Sequence, residues 1–102
     1  MNELKTLVIQ KLNKNNEIVE KSRIYVNSFE IQTQIQLNFN KINCSKFSGI
    51  IFKLENITLM IYNVESYFVI SLFQNNESVE IEKCPCCDVL KLLSEYSFRL
   101  SL

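Results

Sequence analysis

A chain of 102 residues with eleven basic and eleven acidic side chains is sized for a single domain, 1–102, and has no net charge to recruit nucleic acid or a membrane surface. It contains no histidine and one glycine, which removes the commonest general base and rules out a glycine-rich phosphate loop. No apolar run reaches the roughly 20 residues of a membrane span, and no charged leader precedes an apolar segment after Met1. The expected setting is therefore cytoplasmic, with reduced cysteines and no membrane partner.

The charge is unevenly spread. Residues 1–53 hold eight basic and four acidic side chains, residues 54–102 three and seven, so head-to-tail self-association is one expectation. Abundant Asn, Ile, Lys, Phe and Leu with no Ala or Trp reads as an AT-rich coding bias, from which no fold follows.

In chain order, Leu4–Leu12 and Ile18–Val26 flank Lys14-Asn-Asn-Glu17, a hairpin signal. Its pairing sets Ile9 opposite Ser22, Leu7 opposite Ile24 and Lys5 opposite Val26. Leu7, Ile9, Ile18, Ile24 and Val26 then form an inner face with a Lys11–Glu20 ion pair at its edge, and Thr6, Gln10, Lys21, Arg23 and Tyr25 look outward. Phe29 to Phe39 alternates apolar and polar residues for eleven positions, which predicts a strand with one wet face. Lys41–Phe47 is the longest connector.

Ser48–Leu54, Ile57–Tyr62 and Tyr67–Phe73 are β-branched and aromatic runs. A turn at Glu55-Asn56 pairs Leu54 with Ile57, Phe52 with Leu59 and Ile50 with Ile61. A four-residue turn over Asn63–Ser66 sets Ile61 opposite Phe68, Leu59 opposite Ile70 and Ile57 opposite Leu72. A turn at Asn75-Asn76 then sets Leu72 opposite Val79 and Ile70 opposite Ile81. All these residues share one face. The other face is semi-apolar and needs a cover, whether the terminal helix, a second copy of the chain or a partner.

After Lys83 the period changes to helical, with Val89, Leu92, Leu93, Tyr96 and Leu100 on one stripe and Pro85 suited to the first helical position. The expected fold is α+β and mostly antiparallel β. It comprises about seven strands in two meanders (sandwich, partly closed barrel or curled sheet) with one C-terminal helix at about 85–99.

Cys84-Pro85-Cys86-Cys87 is the one stretch with reactive potential. Cys84 and Cys87 form C-x-x-C at a predicted helix start, and the motif resembles the C-P-x-C of glutaredoxin-like proteins, although it lies late in the chain and Pro85 is the sole proline. Residues 84–96 are also similar to the first knuckle of zinc-ribbon and treble-clef modules. That resemblance implies a zinc-thiolate site, for which this chain has only Cys44, Cys84, Cys86 and Cys87, short of a second C-x-x-C. The plainest reading is thiols filling small apolar spaces. No cofactor is expected beyond that candidate zinc.

The residue pattern points to a non-enzymatic protein-binding module that docks another protein through Ile51, Met60, Tyr62, Tyr67, Val69 and Phe73. A homodimer through that face is a further expectation. The alternative is RNA or single-stranded nucleic-acid binding through Thr6, Gln10, Lys21, Arg23, Tyr25, Gln32, Gln34 and Gln36, a polar sheet face with two cations and one aromatic. In size and composition the chain resembles small phage accessory proteins, including inhibitors of bacterial defence nucleases such as CRISPR effectors. The resemblance is one of profile, with no shared motif, and what it implies is a nuclease or ribonucleoprotein complex as the partner.

Overall fold

The computed structural model describes residues 4–42, 48–64, 67–85 and 89–101. Strands β1 (Lys5–Leu12), β2 (Ile18–Val26), β3 (Gly49–Leu54), β4 (Ile57–Val64), β5 (Tyr67–Gln74) and β6 (Glu77–Pro85) form one open antiparallel sheet in the order β2-β1-β3-β4-β5-β6. Helices α1 (Ile31–Ile42) and α2 (Val89–Ser101) cover one side of it. The class is α+β, as the composition of the strands implies. Of the expected arrangements it is the single sheet that forms, with six described strands instead of about seven and two helices instead of one, because β1 pairs directly with β3, Leu7 opposite Leu54 and Ile9 opposite Phe52. Joining the two ribbons edge to edge satisfies both strands' backbone groups, and the helices then supply the second layer that a sandwich would have supplied.

The first hairpin pairs as its sequence implies, with Leu7 opposite Ile24, Ile9 opposite Ser22 and Lys11 opposite Glu20. Lys11 Nζ lies 3.0 Å from Glu20 Oε2. In the turn, Asn13 Oδ1 accepts from the backbone N–H of Asn15 at 2.9 Å and of Glu17 at 3.0 Å. A bulge between Lys11 and Leu12 puts Ile18 opposite Leu12. Ile18 therefore joins the outer face rather than the inner one and is exposed.

The expected strand Phe29–Phe39 is a helix. Ser28–Glu30 forms a 3-10 turn that leads into α1. The Glu30 carboxylate holds this start by accepting from the Asn27 backbone N–H at 3.0 Å and from Asn27 Nδ2 at 2.9 Å. Ile31, Ile35 and Phe39 are buried on the sheet, while Phe29 and Leu37 are exposed. Period two contains period four, so the same letters serve a helix whose core stripe is i, i+4, i+8.

From β3 to β4 the pairing follows the sequence reading, Leu54 opposite Ile57, Phe52 opposite Leu59 and Ile50 opposite Ile61. Between β4 and β5 it differs by two residues: Ile61 faces Ile70, Leu59 faces Leu72 and Val64 pairs with Tyr67. The strands run further toward the tip than a four-residue turn allows. A slip of two preserves the face, so the buried set is unchanged. Between β5 and β6 a bulge at Val79 moves the register by one, placing Glu80 opposite Leu72 and Glu82 opposite Ile70. Val79 and Ile81, expected inside, are exposed.

The core joins Leu7, Ile9, Phe52, Leu59, Ile61 and Ile70 of the sheet to Ile31, Ile35 and Phe39 of α1 and Val89, Leu93 and Leu100 of α2. Phe39 meets Phe68 edge to face, ring centroids 5.6 Å apart, a contact that adds about 1 kcal/mol beyond its burial. The helices touch each other through Gln32 Nε2, which donates to Ser94 Oγ at 2.8 Å. The terminal helix starts later than expected, because Pro85 closes β6 instead of opening α2.

Candidate functional site

With both helices on one side, the opposite side of the sheet has no described helix against it. Its side chains follow from the register as three rows across the strands. The first runs Ile18, Leu12, Gly49, Tyr62, Val69 and Lys83; the second Lys21, Gln10, Ile51, Met60, Ser71 and Ile81; the third Arg23, Val8, Lys53, Thr58, Phe73 and Ser78. Tyr25 and Tyr67 sit beyond the row ends on the same face.

All six residues expected to form a protein-interaction surface are therefore brought together: Ile51, Met60, Tyr62, Tyr67, Val69 and Phe73. Ile51 and Val69 are buried by their neighbours yet lie outside the core beneath the helices, and the other four are half-buried. Gly49, the single glycine, makes the middle of this face close. A Cβ there would lie 3.0 Å from the Ile61 carbonyl oxygen and 3.1 Å from Tyr62 Cβ. Two shallow depressions meet at Ile51 and Met60. One of about 490 Å³ is bounded by Leu12, Ile18 and Tyr62, and one of about 270 Å³ by Lys53, Thr58 and Phe73.

Lys53 and Lys83 belong to the same face, and Lys83 Nζ stands 5.3 Å from the centroid of the Tyr67 ring. Reading β6 without its bulge missed Lys83 and Ile81 on this side; a bulge leaves no mark in an alternation this weak. The nucleic-acid set does not stay together. Lys21, Arg23 and Tyr25 remain on the outer face of β2, but Gln32, Gln34 and Gln36 ride on α1, on the other side of the sheet. Gln32 is bonded to Ser94, and the Gln34 carbonyl accepts from Asn38 Nδ2 at 2.8 Å.

Glu80 and Glu82 are turned toward α2 by the bulge. Arg99 Nη1 lies 2.6 Å from Glu80 Oε2, and the Tyr96 hydroxyl donates to Glu82 Oε2 at 2.9 Å. Burial, and then the hydrogen bond to Glu82, raise the Tyr96 pKa well above that of an ordinary phenol. The Glu80 bond raises that of Arg99. These carboxylates are committed to holding α2.

Of the candidate metal ligands, Cys44, Cys86 and Cys87 lie outside the described residues. Cys84 is buried in the core opposite Phe68. Among the described residues no cluster of three His, Cys, Asp or Glu side chains is placed to hold a metal ion. Among the described residues no helix is long and apolar enough to cross a membrane. Comparison with protein-family models, curated proteins and solved structures gave no match, so the reading of this chain rests on its own geometry.

Proposed function

We propose that the chain is a non-enzymatic protein-binding module that docks a partner on the sheet face opposite its helices. One observation carries the reading: an apolar and aromatic surface runs across β3, β4 and β5 with nothing described packed over it. Tyrosine, phenylalanine and methionine are the residue types that interfaces favour, because they contribute large contact area and adaptable packing. A wet sheet face has no need of Met60 beside Ile51 and Tyr62 beside Val69. The exposed apolar residues of the helical layer, Phe29, Leu37 and Phe98, do not share one strand-built surface of this kind.

Inhibition of a defence nuclease, the role implied by resemblance of profile, is one form this docking would take. The test is affinity capture from a lysate of the source organism with wild type and a Tyr62→Ser/Tyr67→Ser variant of matched thermal stability. The expected result is a captured protein that the variant loses. Equal capture by both would remove this face from the function.

A further inference from the structure

We infer that the partner seated on this face presents acidic surface around apolar side chains. The inference rests on the docking reading and adds the chemistry of what docks. Every charged strand side chain on the outer face is a cation: Lys21, Arg23, Lys53 and Lys83, all exposed. Every strand carboxylate, Glu20, Glu77, Glu80 and Glu82, belongs by register to the helix side. In a chain with equal numbers of acids and bases, the fold has put every strand carboxylate on one side of the sheet, where Lys5 and Lys11 join them, and left the other side with cations alone.

The cations also stand where an interface places its charges. Lys21 and Arg23 are on the edge strand β2 and Lys83 on the opposite edge strand β6, while Lys53, on the interior strand β3, stands in the third row near the β3–β4 turn; the ground at Ile51, Met60 and Tyr62 is uncharged. An apolar centre with a charged rim is the anatomy of a protein interface, the rim setting encounter rate and partner choice. A second copy applied to this face would bring four cations against four with no carboxylate to pair them, which disfavours self-association here. Single-stranded nucleic acid would find these cations and the rings of Tyr25, Tyr62, Tyr67 and Phe73, but between the edge strands the second row, Gln10, Ile51, Met60 and Ser71, carries no cation to track its backbone. The nucleic-acid groove of a nuclease is itself cationic, so on such a target the docking site would be an acidic protein surface elsewhere.

The test is selection from a displayed library of random 16-residue peptides, followed by affinity measurement of the enriched peptides at low and high salt. Enriched sequences are expected to be net acidic with interspersed apolar residues and to bind more weakly as salt rises. They are expected to lose about three- to tenfold in affinity on Lys53→Glu/Lys83→Glu, the worth of two exposed ion pairs. Enrichment of neutral or basic peptides that still lose binding on Tyr62→Ser would overturn the acidic partner and leave the docking reading standing. Acidic peptides whose binding is unchanged by both Tyr62→Ser and the exposed-site variant Ile81→Ser would overturn the face itself, as would no enrichment at all. Tighter binding of a 20-nucleotide oligo-dT than of any selected peptide would reassign the face to nucleic acid. Self-association abolished by Tyr62→Ser would assign it to a second copy.

Discussion

The Tyr96 hydroxyl donates to Glu82 Oε2 at 2.9 Å, fastening α2 to the edge strand β6. The bond exists because the bulge at Val79 turns Glu82 to the helix side, where the pairing implied by the letters alone would have put Ile81. Removing the hydroxyl in Tyr96→Phe is expected to cost about 1 kcal/mol at neutral pH, measured by urea unfolding. The pKa shift fixes how this changes with pH. Folding raises the Tyr96 pKa, by burial first and the Glu82 bond second, so its stabilising contribution is complete below the unfolded value of about 10 and is lost as pH rises above it. The stability gap between wild type and Tyr96→Phe is expected to narrow above pH about 10. A gap that widened there would contradict the assignment.

Ile35 and Leu37 lie two residues apart and separate a helix from a strand. In a strand both would face the core; in α1 Ile35 is fully buried and Leu37 is 49% exposed. Ile35→Ala is expected to cost about 3 kcal/mol and Leu37→Ala less than about 0.5 kcal/mol. Equal losses would restore the strand.

Much of the sheet was legible because pairing leaves a local record: polar turns between β-branched runs set β1 against β2 from Lys5–Val26 to Lys11–Glu20, and β3 against β4 throughout. Helix α1 was not, because Ile31, Ile35 and Phe39 satisfy two periods at once. The deciding signal was short and lay outside the alternation, in Asn27-x-x-Glu30, whose carboxylate holds the helix start. The interaction face was legible from parity within each strand, since a slip of two between β4 and β5 leaves every side chain on its side. The one-residue bulges at β1–β2 and β5–β6 were not, and they are what bring Ile18, Ile81 and Lys83 to that face.

Glu55 has a φ of 54°, a left-handed conformation at the β3–β4 turn that disfavours most side chains. Asparagine tolerates it better. Glu55→Asn is expected to stabilise the fold by about 0.5 kcal/mol in thermal and urea unfolding, whereas a valine there should destabilise it.

Gln10 is buried in the second row of the outer face, and its Oε1 has no hydrogen-bond partner among the described residues. Gln10→Met keeps the shape and removes the orphaned acceptor. It is expected to raise stability by about 1 kcal/mol. Loss of stability would show that Oε1 is bonded in solution.

Methyl relaxation by a soluble gadolinium chelate bears most directly on the uncovered face, since Met60 alternates on β4 with Leu59 and Ile61, which are fully buried. In the free protein the methyls of Met60, Ile18 and Ile81 are expected to relax strongly and those of Leu59 and Ile61 hardly at all. On addition of the captured partner, Met60, Ile18 and Ile81 should lose that relaxation while exposed Leu37 keeps it. Protection at Leu37 instead, or strong relaxation of Leu59 and Ile61 in the free chain, would contradict a sheet that binds through the side its helices leave open.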